Sequence, residues 1–97
     1  MPFRVTLTPG AEADLDYFTR YEQRIVVEAA QRYLRNDADV ESHHRKQPRA
    51  NPLAPGELRI GKYRVFYELL DGTTVKIVAI GYKEHTDLFI RGRRVQL

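Results

Sequence analysis

The 97-residue sequence predicts one α+β domain over residues 1–97, in which a helical hairpin packs on a small, mainly antiparallel four-stranded sheet in the order β-α-α-β-β-β. Three observations predict this class. Helical periodicity of apolar residues is confined to residues 9–35, and strand-like β-branched and aromatic runs fill the sequence after residue 57. An Asp71-Gly72 pair then marks a tight hairpin between two of those strands. A chain of this length has enough residues for one core and too few for two.

The N-terminal elements are a short strand and two helices. Alternation of apolar and polar residues over positions 3–7 predicts a half-buried strand. Thr8-Pro9 then starts a helix, because threonine is a good N-cap and proline is tolerated in the first helical turn. A second apolar stripe predicts a helix over residues 22–35 that is wide enough to pack on a sheet, with a break at residues 19–21 between the two helices.

The C-terminal half supplies the rest of the sheet. Residues 36–56 lack periodicity and are predicted to form a connection, since neither flank is long enough to fold independently. Strands are predicted over residues 58–60, 63–70 and 74–82, from their β-branched and aromatic content. One face of this sheet would be covered by the helices, so the other face is predicted to be open.

The predicted hairpin register places a candidate cationic site on the open face. If the loop has two residues, Arg64 pairs with Ala79 and Lys62 pairs with Gly81. Strand alternation then brings both cations and Lys83 to one face, where the small residues at positions 79 and 81 would leave a hollow. A phosphodiester in that hollow would meet donors held by the sheet, and the guanidinium of Arg64 could bind two of its oxygens.

Each candidate also has an ordinary structural interpretation. Arg64 could pair with Glu68, and Lys83 could be a solvated charge at a strand end. His85 suits acid–base chemistry near neutral pH, but a histidine that follows a strand is commonly a surface residue. Tyr82 could stack on a base or could pack in the core. Taken singly, none of these residues defines a function.

Composition and charge bound the function classes. Residues 1–40 carry five basic against seven acidic residues and the remainder carries 11 against six, so a polyanion is expected to meet the C-terminal part. The absence of cysteine excludes disulfides and thiol nucleophiles. Adjacent His43 and His44 have no carboxylate at ligand spacing, so no metal site is predicted. Without a signal peptide or a membrane-length apolar run, the chain is predicted to be cytoplasmic and to make no membrane contact.

Two strings of strand residues carry a family resemblance. Residues 57–68 read ELRIGKYRVFYE, and residues 75–85 read VKIVAIGYKEH. Their combination and spacing resemble the RelE/ParE superfamily of toxins from toxin–antitoxin modules. The resemblance extends over nearly the whole chain, because the N-terminal strand, the LTP-x-A helix start and the helical hairpin match in order and length.

The resemblance implies a RelE-like toxin: a metal-independent, ribosome-dependent endoribonuclease, or mRNA interferase, that cleaves mRNA on the ribosome and inhibits translation. It implies no cofactor, and it implies a cognate antitoxin that neutralises the toxin in a hetero-oligomer. The 2′-hydroxyl of the RNA would attack the adjacent phosphorus. Arg64 and Lys83 would stabilise charge on the scissile phosphate, and His85 would give or accept a proton. Further residues expected to bind the RNA are Arg59, Lys62, Arg45, Lys46 and Tyr82.

Departures from the RelE pattern leave two other functions open. Phe89 stands where RelE-like nucleases commonly have a tyrosine, and Glu57 and Pro55 stand where RelE has lysines. Glu57 could itself be a base or only a charge at a strand edge. The first alternative is a ParE-like inhibitor of DNA gyrase, which needs no proton-transfer residues. The second is a binding module without toxicity. In each case an acidic or amphipathic antitoxin segment is expected to bind in a groove or by strand addition.

Overall fold

The computed structural model describes residues 3–37, 45–46 and 53–96. Its elements confirm the predicted α+β class, with two helices packed on a mainly antiparallel sheet. In chain order they are β1 (Arg4–Leu7), α1 (Pro9–Asp16), α2 (Arg20–Asp37), β2 (Arg45–Lys46), β3 (Gly56–Ile60), β4 (Tyr63–Leu70), β5 (Thr74–Glu84), β6 (Asp87–Ile90) and β7 (Arg93–Val95). His43, His44 and most of the predicted connection lie outside the described residues.

Within the described residues, the sheet has seven strands rather than the four predicted. Its order is β2-β3-β4-β5-β6-β7, with neighbours antiparallel, while β1 pairs with β5 in parallel. Strand β4 pairs along one edge of β5. The other edge is shared, because β1 pairs with Thr74 to Ile77 and β6 pairs with Tyr82 to Glu84. The extra strands β2, β6 and β7 contain two to four residues each, and their residues do not alternate between apolar and polar as positions 3–7 do.

Both helices start with the capping chemistry that their sequences encode. The Thr8 hydroxyl accepts a hydrogen bond from the Ala11 amide at 3.1 Å, which confirms the predicted start of α1. Helix α2 begins two residues before the predicted position, with a capping box. There the Glu22 amide donates to the Thr19 hydroxyl at 3.2 Å, and the Thr19 amide donates to Glu22 Oε1 at 3.1 Å. Neither helix is long and apolar enough to cross a membrane.

The β4–β5 hairpin has the predicted turn residues but a different register. Asp71 and Gly72 have φ of 55° and 70°, as a primed turn requires. However, Leu70 pairs with Thr74, so the loop has three residues instead of two. A β-bulge at Val78 shifts the register once more, and the predicted pairings of Arg64 with Ala79 and of Lys62 with Gly81 are wrong. Each shift moves the pairing by one residue, so the two together move it by two. Arg64 and Gly81 therefore remain on the face of the sheet that was predicted for them.

In the part of the chain that the structure describes, the core lies in two clusters, one on each face of the sheet. Between the helices and the sheet, buried residues of α1, of α2 and of the turn between them pack on β4 and β5: Ala11, Phe18, Val26, Ala30, Leu34, Val65, Tyr67, Val75, Ile77 and Ile80. On the second face, Phe66 and Ala79 pack with Ala54 and Leu88. The second face is therefore partly covered, because the C-terminal hairpin of β6 and β7 turns over it.

Candidate functional site

The predicted hollow above Gly81 is occupied by the chain itself. Gly81 lies opposite Arg64 and is buried. A Cβ atom built on Gly81 would overlap the carbonyl oxygen of Phe89 and would lie 2.9 Å from Cγ1 of Ile90. The absence of a side chain at Gly81 thus leaves space for strand β6, and this space is not open to a phosphodiester. The prediction of an open hollow is wrong because β6 fills that space. Strand β6 was not predicted, since no strand pattern is visible in the sequence after Tyr82.

Arg64 is held by its own strand turn and by a carboxylate. Its Nη1 donates to the carbonyl oxygens of Gly61 at 2.7 Å and Tyr63 at 2.8 Å. Its Nε lies 3.4 Å from Oε2 of Glu57, which takes the place of the predicted partner Glu68. Burial lowers the pKa of Arg64, an effect that the charge of Glu57 opposes. The guanidinium is therefore fixed on the second face, with its charge already countered.

Arg59 and Arg64 both contact the carboxylate of Glu57. These two arginines are direct cross-strand partners on β3 and β4, an arrangement in which like charges repel. Oε2 of Glu57 accepts a hydrogen bond from Arg59 Nε at 3.1 Å. We call Glu57, Arg59 and Arg64 the Glu57 cluster. Arg64, predicted to be catalytic, and Arg59, predicted to bind RNA, thus lie close together, but around an acidic residue.

Lys62 is directed away from the Glu57 cluster, to the helix side of the sheet. Its Nζ lies 3.9 Å from Oε2 of Glu22 and 5.5 Å from the ring centroid of Tyr63. The predicted convergence of Lys62 with Arg64 is wrong, because Lys62 belongs to the turn between β3 and β4, where strand alternation does not apply. Gly61, the other turn residue, has φ of 55°.

Lys83, His85 and the β2 cations occupy other places. Lys83 is half-buried and lines a cleft of about 320 Å³ with Thr86, Asp87, Leu88, Arg94, Val95 and Gln96. His85 is exposed in the turn between β5 and β6, where its φ is 58°. Strand β2 places Arg45 opposite Leu58 and Lys46 opposite Glu57 in the backbone register. Of the predicted catalytic residues, Lys83 lies two residues beyond Gly81, the partner of Arg64, on the same face of β5, whereas His85 lies in the turn after β5.

Tyr82 lies in the middle of an aromatic stack. Its ring is nearly parallel to those of Tyr17, at a centroid distance of 6.4 Å, and Phe89, at 5.5 Å. A hydrogen bond with Tyr17, followed by burial, raises the pKa of Tyr82. Phe89 stacks as the cross-strand partner of Tyr82, a role that needs a ring but no hydroxyl. Tyr17 remains 51% exposed at the outer side of the stack.

Asp14 is a structural residue whose role was not predicted. Its buried carboxylate accepts a hydrogen bond from the Ile80 amide at 3.0 Å, and its Oδ1 lies 2.8 Å from Nε of Arg91. Ile80 is in the part of β5 between the segments that pair with β1 and β6, so Asp14 completes the edge of the sheet. The available signal was its spacing from Ala11 and Phe18, which places it on the buried stripe of α1.

The Glu22–Tyr63 hydrogen bond makes folding sensitive to alkaline pH. The Tyr63 hydroxyl donates to Glu22 Oε2 at 2.8 Å. Burial, with a further contribution from Glu22, raises the pKa of Tyr63 from 10.0 to about 12. A raised tyrosine pKa stabilises the fold below the unfolded-state value, and this contribution is lost as the pH rises through the folded-state value.

We therefore expect the free energy of unfolding to fall by about 1–2 kcal/mol between pH ~10 and pH ~12, beyond the fall seen in Tyr63→Phe. Urea unfolding of both proteins at several pH values measures the difference. Tyr21→Phe is the matched control, because Tyr21 is 73% exposed, and it should follow the unmodified chain. If the free energy of unfolding fell equally with pH in the unmodified chain and in Tyr63→Phe, this expectation would be contradicted.

Comparison with known proteins defines the class to which this fold and its motifs belong. A chain of the toxin–antitoxin complex RelBE2 from Mycobacterium tuberculosis superposes with a TM-score of 0.74 and 27% sequence identity, over 86% of this chain and 93% of that chain. The fold is thus that of toxins from type II toxin–antitoxin systems. Residues 5–86 match the sequence model of the ParE toxin of the type II system parDE. The chain belongs to this ParE toxin family, which confirms the predicted RelE/ParE superfamily. Curated protein sequences yielded no significant match.

Proposed function

We propose that this toxin acts in the cytoplasm by binding a protein target, as a ParE-like inhibitor of DNA gyrase, and that a cognate antitoxin neutralises it. One observation carries the proposal: strand β6 fills the space above Gly81, beside the Arg64 position where a phosphodiester would have to lie. The match of residues 5–86 to the ParE toxin family supports the same target class.

The chemistry of RNA cleavage argues for a protein target over a nucleolytic one. Cleavage by the 2′-hydroxyl needs cations that can stabilise the phosphate and proton-transfer groups within reach of it. The guanidinium of Arg64 is engaged with Glu57 and two carbonyl oxygens. Phe89 has no hydroxyl, and His85 lies in the turn beyond β5. An inhibitor that works by binding requires none of these groups.

Two surfaces suit protein partners. Tyr17 and Tyr21 are exposed near the junction of α1 and α2, and exposed tyrosines are frequent in the central contacts of protein interfaces. An apolar cleft of about 120 Å³ lies between α2 and β1, and an adjoining cleft of about 430 Å³ is lined in part by Arg4 and Arg35. Apolar walls with basic residues at one end fit an acidic, amphipathic antitoxin segment.

Expression of the chain in bacterial cells tests this function. We expect growth arrest with induction of the DNA-damage response while protein synthesis continues, because gyrase poisoning affects DNA before translation. Co-expression of the cognate antitoxin should restore growth. Rapid loss of translation without DNA damage would contradict gyrase as the target. Harmless overexpression of the chain alone would instead support the binding module without toxicity.

The mRNA interferase is the second candidate, favoured by the adjacency of Arg59 and Arg64 on one face. This function, with the ribosome-bound message as substrate, would make Arg64 essential for charge stabilisation. Arg64→Ala should then abolish growth arrest, and the purified toxin should cut ribosome-bound mRNA. Growth arrest alongside intact message excludes it.

A further inference from the structure

A small cleft opens on the helix side of the sheet, beside the junction of α1 and α2. Its volume is about 230 Å³, which is below the roughly 300–1,000 Å³ of sites that enclose a whole small molecule. A cleft of this size suits a single side chain of a larger partner. We call it the tyrosine cleft, and it is lined by Tyr17, Phe18, Glu22, Lys62, Tyr82 and Glu84.

Two carboxylates reach the tyrosine cleft from different elements. Glu22 of α2 is held in place, because its Oε1 belongs to the capping box and its Oε2 accepts a hydrogen bond from Tyr63. Glu84, at the end of β5, is exposed and forms no ion pair within the described part of the chain. The cleft therefore presents one fixed and one freely accessible negative charge.

The chain already places one cation of its own at the tyrosine cleft. Nζ of Lys62 lies 3.9 Å from Oε2 of Glu22 and 5.5 Å from the ring centroid of Tyr63, so it contacts a carboxylate and an aromatic ring together. Its side chain is 56% exposed, and an ion pair this exposed is weak enough for Lys62 to withdraw into solvent. One lysine against two glutamates leaves the cleft with a net charge of −1.

We propose that the tyrosine cleft binds an arginine side chain of the protein target, an assignment that rests on the proposed action against a protein. A guanidinium is planar, so it can donate to two carboxylate oxygens and also stack on an aromatic ring. Tyr17 and Tyr82 supply two nearly parallel rings, at an interplanar angle of 7°, and Glu22 and Glu84 supply the carboxylates. Arginine and tyrosine are also the residues that most often dominate protein interfaces.

The charge of the tyrosine cleft favours the target over the antitoxin as its occupant. An acidic antitoxin segment would be repelled by the two carboxylates of this cleft. The same segment would be attracted to the cleft beside β1, which is lined in part by Arg4 and Arg35. The two partners therefore have separate surfaces of opposite charge. On binding the target, the entering guanidinium displaces the ammonium of Lys62 from Glu22.

Titration of the isotope-labelled toxin with N-acetyl-arginine amide, followed by NMR, tests the site without any target protein. We expect millimolar binding, as is usual for so small a ligand, with shifts of the amide signals of Tyr17, Tyr82 and Glu84. The corresponding citrulline compound has the same shape without the charge, and it should bind about fivefold more weakly. Equal affinities for the arginine and citrulline compounds would overturn the proposal.

Glu84→Gln removes one carboxylate of the cleft and leaves the capping box intact. It should weaken binding of the arginine compound about fourfold. Glu28→Gln is the matched control, because Glu28 is exposed on α2 outside the cleft and its removal changes the net charge equally. Lys62→Met should have the opposite effect and tighten binding about twofold, since no ammonium has to be displaced. Equal affinities for Glu84→Gln and Glu28→Gln would overturn the proposal.

Inhibition of purified DNA gyrase connects the tyrosine cleft to the target. We expect that half-inhibition requires about threefold more of Glu84→Gln than of Glu28→Gln. Equal inhibition by the two variants would overturn the assignment of the cleft to the target. If the unmodified toxin bound the arginine compound but left gyrase fully active, gyrase would be excluded as the target, while the arginine site itself would be supported.

Discussion

Gly81→Ala is expected to lower the free energy of unfolding by about 3 kcal/mol, because the added methyl group overpacks a close backbone contact. The new Cβ would overlap the carbonyl oxygen of Phe89, so strand β6 must move. A backbone atom cannot turn aside as the end of a flexible side chain can. Urea denaturation measures the loss, and hydrogen exchange of the β6 amides should show whether this strand separates from β5.

Gly10→Ala is the matched control for this substitution. Gly10 is exposed in α1, and a Cβ there meets only the Thr8 hydroxyl at 3.8 Å, an ordinary contact. Since alanine favours helix more than glycine does, the control should be unchanged or stabilised by up to about 1 kcal/mol. If Gly81→Ala were as stable as Gly10→Ala, β6 could not lie in the hollow above Gly81.

Asp14→Ala is expected to destabilise the fold by about 2–4 kcal/mol, since it leaves the Ile80 amide unsatisfied and Arg91 without its buried counter-charge. Asp16→Ala is the matched control, because Asp16 lies on the same helix but is exposed. Thermal and urea unfolding of the two variants give the comparison. Equal stabilities would mean that Asp14 does not tie α1 to the C-terminal hairpin.

The pH dependence of Asp14→Asn separates charge from hydrogen bonding. Burial raises the pKa of Asp14 above 3.8, although the Ile80 amide and Arg91 oppose the shift. A raised carboxyl pKa stabilises the fold below the unfolded-state value, and this contribution is lost as the pH rises through the folded-state value. On acidification the unmodified chain gains this contribution to the free energy of unfolding, and Asp14→Asn should not gain it. Asp16→Asn should gain it as the unmodified chain does.

Local chemistry predicted the parts of the fold that depend on neighbouring residues. The Thr8 cap needs only a hydroxyl before a helix, and the Asp71-Gly72 turn needs only residues that accept positive φ. Both were predicted and both are present. The bulge at Val78 was not predicted, because it depends on how β5 meets β4 and β1 over long sequence distances.

The candidate site was less predictable than the fold for a related reason. Alternation correctly placed Arg64 and Gly81 on one face, but it could not show that β6 returns over Gly81. Strands β6 and β7 are short and show no alternation of apolar and polar residues, so they cannot be recognised without their partners. The position of Glu57 between two arginines was likewise not predicted, because it depends on the pairing of β3 with β4.

The supercoiling activity of purified DNA gyrase, titrated with the purified toxin, measures the proposed action most directly. We expect inhibition that the cognate antitoxin reverses, with ribosome-bound mRNA left intact by the same toxin preparation. Full gyrase activity together with cleavage of that mRNA would contradict a protein-directed toxin and would establish the nuclease in its place.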